Sequence, residues 1–311
     1  MPPVLRSQAQ KNMRGIGFML LAMAGFMCSD TLLKIAREHL QAGQILLIRG
    51  TFSLLILLLV MLATRQLGTL RQIHDRRLLV RGGIEGFIAV LFVIAIGGMA
   101  LADITAVILM TPLLITLFAV LFLGEQVGWR RWSAILIGFI GVLLVLRPGG
   151  STVPLWAGLA ALGSALLVPA RDILTRQIPG QISSLAITIT TTLCTTTAGL
   201  VHMVATSGWI TPPTPALLAA LGAAIFVLIG NYAVIEAHRE ADLSVVSPFR
   251  FSSIVMALGL GIVVFGERPT GWSLIGATMI VGSGIYSAHR ERVRRREAAL
   301  HARPGGANKT P

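Results

Sequence analysis

The chain has 311 residues, of which 54% are hydrophobic and 13% are charged, whereas soluble domains average about 25% charged residues. This composition excludes an ordinary soluble domain and indicates a membrane protein. The formal net charge of +13 would suit a nucleic acid, but the basic residues lie mainly between apolar runs, so we expect no nucleic-acid partner.

Apolar runs long enough to cross a bilayer as helices occupy most of the chain, which predicts an all-α membrane protein. Ten transmembrane helices are predicted, over residues 15–33, 44–63, 82–100, 103–123, 132–147, 154–170, 183–205, 216–235, 243–264 and 270–288. The tail after His289 is predicted to be disordered. Cys28 and Cys194 lack the spacing of a metal site, so neither a metal nor a cofactor is expected.

The first span ends with the letters CSDTLLK, which place Asp30 and Lys34 four residues apart. The sixth span ends with PARDILTR, in which Asp172 and Arg176 repeat the arrangement 142 residues later. A shift of the same size relates two Gly-Glu pairs, and this indicates a duplicated chain. Residues 1–147 and 148–290 would each hold five spans, so the second repeat would be inverted, as in many secondary transporters. Residues 291–311 form a basic cytoplasmic tail.

The two charged pairs have two interpretations. In the first, Asp30 with Lys34 and Asp172 with Arg176 are helix-end contacts worth about 0.2 to 0.5 kcal/mol each, and the long cations reach the lipid headgroups. In the second, the pairs form the outer and inner gates of a transport pathway. The Gly-Glu pairs, with Glu125 and Glu267, are interpreted as helix caps or loop anchors.

The second and third spans carry one charged residue each within apolar sequence. Arg49 would cost roughly 2.5 to 3.5 kcal/mol at the centre of a span, and its guanidinium group suits a carboxylate or phosphate of a solute. Its alternative is a structural partner such as Asp30 or Glu85. Glu85 itself is predicted to be a hydrated carboxylate near a helix start or a proton-coupling group. Gly82 and Gly86 are predicted to pack helices closely.

The fourth and ninth spans each contain a proline, Pro112 and Pro248. Proline removes a helical hydrogen bond, and interrupted spans at corresponding positions of two repeats indicate a binding site. Arg250 follows the second proline, between Phe249 and Phe251. We expect Arg250 to contact solute, with a structural role as the alternative, and the two aromatic rings to face either a ligand or neighbouring helices.

Two further spans contribute uncharged polar groups. Asn231 and Tyr232 in the eighth span are candidates for hydrogen bonds to solute or to another helix. The seventh span carries TITTTLCTTT, beginning at Thr188. Its threonines are predicted to bond to their own helix or to a neighbouring one.

The basic residues predict the orientation. With the N-terminus in the cytoplasm, 20 of the 26 lysine and arginine residues fall in cytoplasmic segments and four fall in outer ones. The positive-inside rule therefore places both termini in the cytoplasm. We expect a multi-pass protein of a bacterial cytoplasmic (inner) membrane, with anionic lipid headgroups as partners of the basic tail.

The segment from Ala102, ADITAVILMTPLLITLFAVLFLGEQVGWRRWSAILIGFIGVLLVLRPG, resembles the second half of an EamA repeat of the drug/metabolite transporter superfamily. The segment from Ala241, ADLSVVSPFRFSSIVMALGLGIVVFGERPTGWSLIGATMIVGSG, resembles its second copy. The resemblance covers nearly the whole chain and implies ten helices, a central cavity and transport of small organic solutes. The Pro-Phe-Arg-Phe at Pro248 is similar to members that import riboflavin or S-adenosylmethionine.

These patterns favour a secondary transporter that moves a small organic metabolite by alternating access. Export of amino acids or drugs on the same fold is the alternative. The chain has no GxxxxGK[ST] loop for an ATP-driven pump and no HExxH motif, and Ser283 and His289 are poorly phased on one helical face. An intramembrane enzyme is therefore disfavoured.

Overall fold

The computed structural model of the chain describes residues 3–123, 129–147, 153–179, 181–206, 208–241 and 243–301. The regular elements in these ranges are all helical, as the apolar runs predict, and no strand occurs among them. Glu125 lies outside the described residues, and the side chain of Arg176 is not described.

The helices follow one another with short connections. The α-helices are α1 (Pro3–Arg37), α2 (Ala42–Ala63), α3 (Arg76–Ile96), α4 (Leu101–Leu109), α5 (Thr111–Leu123), α6 (Trp129–Leu146), α7 (Leu155–Arg176), α8 (Ser184–Thr206), α9 (Thr214–Glu240), α10 (Leu243–Val246), α11 (Ser252–Phe265) and α12 (Gly271–His301). Two 3-10 helices cover Leu67–Gln72 and Ser247–Phe251.

Eight helical segments of the described chain are long and apolar enough to cross a membrane. Trp132–Leu146, within α6, is a shorter apolar helix. The first part of α12 belongs to neither group, because its glycine, serine and threonine residues lower its mean hydropathy. The second part of α12 is strongly basic. The described residues therefore support eight of the ten predicted spans by length and composition.

Two helices extend well beyond the predicted limits. The prediction of disorder after His289 is wrong for the residues up to His301, which continue α12 as a helix. Arginine, glutamate, alanine and leucine in this segment all favour helix, and extending an existing helix avoids the cost of nucleation. At the other end of the chain, α1 already begins at Pro3.

The fourth and ninth spans are interrupted near their prolines. The fourth span divides into α4 and α5 at Met110, and Pro112 lies in the first turn of α5, where a missing amide proton costs little. The ninth span passes from α10 through the 3-10 helix that holds Pro248 into α11. The two interruptions approach each other at α12, because a Cβ atom on Gly284 would lie 3.1 Å from Phe251 Cε1 and 3.9 Å from the Leu109 carbonyl oxygen.

Helices from the two halves of the chain pack against each other through small residues. A Cβ atom on Gly43 of α2 would lie 2.6 Å from the carbonyl oxygen of Gly199 in α8. A Cβ atom on Gly276 of α12 would lie 2.5 Å from the carbonyl oxygen of Gly141 in α6. Backbones that approach this closely gain van der Waals contact, which is a main source of helix association in membranes.

The predicted packing role of Gly82 and Gly86 is confirmed. A Cβ atom on Gly82 would lie 2.7 Å from Cys194 Sγ, and one on Gly86 would lie 3.0 Å from the Cys194 carbonyl oxygen. The threonines of α8 bond back to their own helix, as predicted: the hydroxyls of Thr190 and Thr192, for example, donate to the carbonyls four residues earlier.

The bundle has two ends, named here after the charged residue at each. At the Lys34 end, α1 and α11 finish and α4 and α12 begin. At the Arg171 end, α7 finishes and α3 and α8 begin. Loops at the Arg171 end are tied together, since the Ser183 amide donates to Gln72 Oε1 at 3.0 Å and Arg77 donates to the Gln177 carbonyl.

Candidate functional site

Seven charged residues within the bundle form a connected group, which we call the central charge cluster. Its members are linked by ion pairs or by electrostatic interactions, and they are Asp30, Arg49, Arg81, Glu85, Arg171, Asp172 and Arg250. With four arginines and three carboxylates, the cluster has a formal charge of +1. The residues come from α1, α2, α3, α7 and the 3-10 helix before α11, so packing of both halves assembles the group.

Arg171 is the most fully paired member of the cluster. Its Nη1 lies 3.0 Å from Glu85 Oε2 on α3, and its Nη2 lies 2.8 Å from Asp172 Oδ1 on its own helix. The three side chains keep between 19% and 26% of their accessible surface. Partial exposure of paired charges inside a bundle is typical of residues beside a polar cavity.

Arg81 extends this group toward the Arg171 end. Its Nε donates to Thr175 Oγ1 at 2.8 Å, and its Nη1 donates to Thr191 Oγ1. Arg81 and Glu85 are one helical turn apart, so both reach the α7–α8 side of α3. Asp75 positions this helix by capping its start, where it accepts the Arg77 amide proton at 2.8 Å.

Glu85 therefore lies deeper than its predicted helix-end position. The predicted span begins at residue 82, but α3 begins at Arg76, because the Asp75 cap and the arginines that follow extend the helix. Glu85 is thus nine residues inside α3, about 13 Å from its start at a rise of 1.5 Å per residue. The carboxylate pairs with Arg171 there.

Asp30 and Arg49 face each other across α1 and α2 without contact. They interact electrostatically, yet among the described residues neither side chain has a hydrogen bond or an ion pair within 4.0 Å. Both side chains are partly exposed. Arg49 also interacts electrostatically with Glu85, which connects this pair to the Arg171 group.

Arg250 reaches the cluster from the interrupted ninth span. The side chain is exposed, but it interacts electrostatically with Asp172 and Arg171 on α7. Its exposed surface therefore lies on the inner side of the bundle. The 3-10 backbone around it is held by Ser253, whose hydroxyl donates to the Arg250 carbonyl at 2.8 Å.

The aromatic neighbours of Arg250 pack within protein. Phe251 is 9% exposed and its ring lies against Gly284 of α12. Phe249 is partly buried against the apolar cluster that contains Met19 and Ala22. These contacts match the neighbouring-helix alternative for both rings.

The structure does not bring the two candidate solute contacts on α9, Asn231 and Tyr232, into the cluster. Tyr232 is 62% exposed and shares one face of α9 with Leu218, Ile225 and Ile229, which are also exposed. An exposed apolar stripe on a spanning helix is the surface expected to face lipid. Asn231 is partly buried, with no side-chain hydrogen bond recorded in the described part of the chain.

A second polar group joins the helices at the Lys34 end. Lys34 forms an ion pair with Glu267, donates to the Met99 carbonyl at 2.6 Å and lies 5.0 Å from the Phe265 ring centroid. The Leu101 amide, at the start of α4, donates to Glu267 Oε2 at 3.0 Å. Glu267 therefore caps the start of α4. This is the helix-cap alternative of its prediction.

The same end carries a second carboxylate. Asp103 accepts a hydrogen bond from the Ser273 hydroxyl and interacts electrostatically with Glu267 and Lys34. The group thereby ties α1 and α4, from the first half, to the α11–α12 connection in the second half. Its two closest contacts both join residues more than 160 positions apart in the chain.

The Asp30–Lys34 contact expected within α1 does not form in the described structure, and the side chain of Arg176, the expected partner of Asp172, is not described. Lys34 pairs with Glu267 instead of Asp30, and Asp172 pairs with its neighbour Arg171. Arg81 and Arg171 enter the sequence-based prediction only through the count of cytoplasmic basic residues, and Asp103 is not among the predicted site residues. The i, i+4 spacing of Arg81 and Glu85 was the one local signal for this group. The described residues contain no cluster of histidine, cysteine and acidic side chains able to hold a metal ion.

Comparison with known proteins identifies the type of fold. The sequence pattern of the EamA-like transporter family matches residues 13–147 and 155–287. A solved structure, described only as a crystal structure of protein, has a TM-score of 0.62 and 20% identity over 90% of this chain and 99% of that chain. At this identity the likeness concerns the fold alone.

Several curated proteins are similar in sequence. A riboflavin transporter of Rhizobium johnstonii is 30% identical over 70% of each chain. An S-adenosylmethionine uptake transporter of Rickettsia conorii is 26% identical over 89% of this chain and 93% of that protein. The pseudopaline exporter CntI of Pseudomonas aeruginosa is 26% identical over 86% of this chain and 93% of its own length.

Proposed function

The chain belongs to the EamA-like transporter family, and on that premise we propose that it moves a small organic metabolite across the bacterial cytoplasmic membrane by alternating access. The observation that carries the proposal is the central charge cluster. It joins residues 13–147 to residues 155–287 at the interface between the two matched segments, which is where transporters built from repeats bind substrate. In this proposal α6 and α12 complete ten spans in two inverted repeats.

The cluster fits a solute pathway better than a purely structural role. A charged side chain in a span costs several kcal/mol unless it faces a partner or a water-filled cavity. The described chain leaves Asp30, Arg49 and Arg250 without direct partners, whereas Arg171, Glu85 and Asp172 are paired. Groups that stay unpaired within a bundle are suited to bind a polar solute.

In this proposal the polar group at the Lys34 end closes the solute pathway on its outer side. Lys34 and Glu267 come from different halves, so a rocking motion of one half against the other would separate them. In this proposal the outer gate is formed by Lys34 with Glu267, and Asp30 serves the solute site below it. The Arg171–Glu85 pair ties α7 to α3 and provides the corresponding contact toward the cytoplasm, near the predicted inner pair Asp172 and Arg176.

The names of the relatives give S-adenosylmethionine as an uptake substrate, pseudopaline as an exported substrate and riboflavin as a transported one. The proposal favours uptake of a vitamin or nucleoside-like solute, as for the proteins named riboflavin transporter and S-adenosylmethionine uptake transporter. Export remains the second candidate because the pseudopaline exporter is comparably similar. Transport leaves the solute chemically unchanged, which separates this function from an enzymatic one.

Purified protein in proteoliposomes provides the test. A thermal-shift screen of flavins, adenosyl compounds, amino acids and nucleotides selects solutes that stabilise the fold, and labelled forms of these are then offered outside the vesicles. We expect saturable accumulation of unaltered solute that empty vesicles lack. Absence of movement in either direction for every stabilising solute, or recovery of a chemically altered product, would contradict the proposal.

Arg250 provides the site-specific prediction. A planar guanidinium binds two acceptor atoms at once, whereas lysine keeps only the charge. We expect Arg250→Lys to reduce solute affinity about tenfold, which corresponds to about 1.4 kcal/mol, without lowering the melting temperature. Gly282→Ala is the control, because no atom outside its own helix lies within 4 Å of the added methyl group. Wild-type affinity in Arg250→Lys would remove this residue from the site.

A further inference from the structure

We propose that Asp30 and Arg49 form a subsite for the zwitterionic head of an α-amino acid, in which Arg49 binds the carboxylate and Asp30 binds the ammonium group. The inference rests on the proposed transport function and narrows its substrate class. Four observations support it: matched depth, unpaired opposite charges, partial exposure and the charge balance of the pair.

The two side chains lie at the same depth in the bundle. Asp30 is seven residues before the end of α1 at Arg37, and Arg49 is seven residues after the start of α2 at Ala42. Both helix termini belong to the Lys34 end, so each charge lies about 10 Å below that end at 1.5 Å per residue. A small solute that enters between α1 and α2 therefore meets both groups together.

Opposite charges at this depth would normally close into an ion pair. Two other oppositely charged pairs in the described bundle do so, Lys34 with Glu267 and Arg171 with Glu85. Asp30 and Arg49 attract each other but have no contact within 4.0 Å. A charge within a membrane span that lacks a partner is costly, and a bound solute of complementary charge reduces that cost.

The opposite charges of Asp30 and Arg49 indicate which class of solute the pair would bind. A simple anion on Arg49 would be repelled by the nearby Asp30 carboxylate, and a simple cation on Asp30 would leave Arg49 unpaired. A zwitterion satisfies both groups and adds no net charge to the membrane interior. The carboxylate also matches the planar fork of Arg49, while three ammonium protons can be shared between Asp30 and nearby carbonyl groups.

Partly buried aromatic rings lie near both charges. Phe26 is one turn from Asp30 on α1, and Phe52 is one turn from Arg49 on α2; both are only partly buried. From this position the remaining part of the solute can extend toward Glu85 and Arg250, which belong to the same central charge cluster. Asp30 and Arg49 would then bind the ammonium and carboxylate groups of the solute, and the deeper part of the cluster would bind its side chain.

The test uses chemically matched probes on the purified full chain. S-adenosylmethionine carries both head charges, its decarboxylated analogue lacks the carboxylate, its deaminated analogue lacks the ammonium group, and riboflavin lacks both. We expect S-adenosylmethionine or free methionine to bind at least tenfold more tightly than a probe that lacks either charge. Affinities are measured by thermal shift and by competition for uptake.

Single substitutions test which residue binds the carboxylate of the solute and which binds its ammonium group. In Arg49→Gln the preference for the carboxylate should disappear, so that the decarboxylated analogue binds as well as its parent. In Asp30→Asn the preference for the ammonium group should disappear. Thr51→Ala is the control on α2, because its exposed hydroxyl donates to the Leu47 carbonyl of its own helix. Elution profiles verify that each variant is folded.

Each outcome has one meaning. Binding of riboflavin by the wild type, with no binding of either amino-acid probe, would overturn the zwitterion subsite and leave the transporter function intact. An Asp30→Asn variant that keeps the ammonium preference but loses gradient-driven uptake would overturn it in favour of proton coupling at Asp30. The wild-type comparison of probes decides the matter even when a variant fails to fold, and lack of transport for all solutes contradicts the proposed function itself.

Discussion

Arg171 carries a single positive charge that pairs with two carboxylates within the bundle. It contacts two carboxylates, Glu85 across the helix interface and Asp172 beside it. Removing one partner of a buried pair leaves an uncompensated charge, which costs more than the pair itself contributes. The stability of this region therefore depends on which charge is lost.

A double-mutant cycle tests this asymmetry. We expect Arg171→Gln to lower the free energy of unfolding by roughly 3 kcal/mol, at the low end for a buried pair, because its partners keep about a fifth of their surface. Glu85→Gln added to Arg171→Gln should recover part of the loss. The measurement is thermal or denaturant unfolding in detergent. Equal or greater loss in the double variant would show that the two side chains do not compensate each other.

The sequence shows which charged residues lie within or beside the spans, but it does not show which of them pair with one another. The sequence indicates that Lys34 lies one turn from Asp30, and spacing within a helix is visible along the chain. The contact that forms is with Glu267, 233 positions away, and it depends on how α1 packs beside the α11–α12 connection. Arg81 and Arg171 lie just outside the predicted spans 82–100 and 154–170, whereas α3 and α7 extend far enough to include them.

At the scale of helices, small residues rather than long apolar ones determine where elements cross. The sequence predicted the contact at Gly82 and Gly86 from their spacing, and α3 does pack on Cys194 of α8 there. The crossing of α6 with α12 involves one glycine on each helix, Gly141 and Gly276. Such a pair has no local spacing signal, because its members belong to different halves of the chain.

Two glycines on α12 allow a matched test of this crossing. A methyl group on Gly276 would lie 2.5 Å from the Gly141 carbonyl oxygen, whereas one on Gly282 meets no atom of another described helix within 4 Å. We expect Gly276→Ala to destabilise the protein by roughly 1–3 kcal/mol through overpacking. Gly282→Ala should be neutral or should stabilise by up to about 1 kcal/mol, because alanine favours helix. Equal melting temperatures for the two variants would contradict the close crossing.

The interrupted helices connect element structure to function. Sequence analysis located both prolines, and the chain leaves regular α-helix within two residues of each one. The sequence alone could not show that the two interruptions meet at Gly284 of α12. This contact results from the packing of α4, α12 and the 3-10 helix, and it brings Arg250 into reach of the charges on α7.

On the scale of the whole molecule, polar contacts join the two halves at both ends. The Lys34–Glu267 pair ties them at one end and the Arg171–Glu85 pair ties them nearer the other. Alternating access requires that at least one such set opens while solute passes. The Lys34 group lies about one helical turn beyond the unpaired Asp30, which shares its depth with Arg49, so opening of this group would expose both charges at the Lys34 end.

Cross-linking across the halves tests whether the Lys34 end opens. In a background of Cys28→Ala and Cys194→Ala, the paired substitutions Lys34→Cys and Glu267→Cys are joined by a short thiol-reactive linker that reducing agent removes. We expect cross-linking to abolish uptake and reduction to restore it, because the two residues belong to halves that must separate.

A pair within one half provides the matched control at the same end. Arg37 and Gly97 both lie in the first half, and a Cβ atom on Gly97 would lie 2.9 Å from Arg37 Nε. Because these positions move together when one half rocks against the other, cross-linking Arg37→Cys to Gly97→Cys should leave uptake close to that of the uncross-linked variant. Full uptake with Lys34 and Glu267 positions joined would mean that this end stays closed during transport. The solute would then have to pass by another route than the one between α1 and the α11–α12 connection.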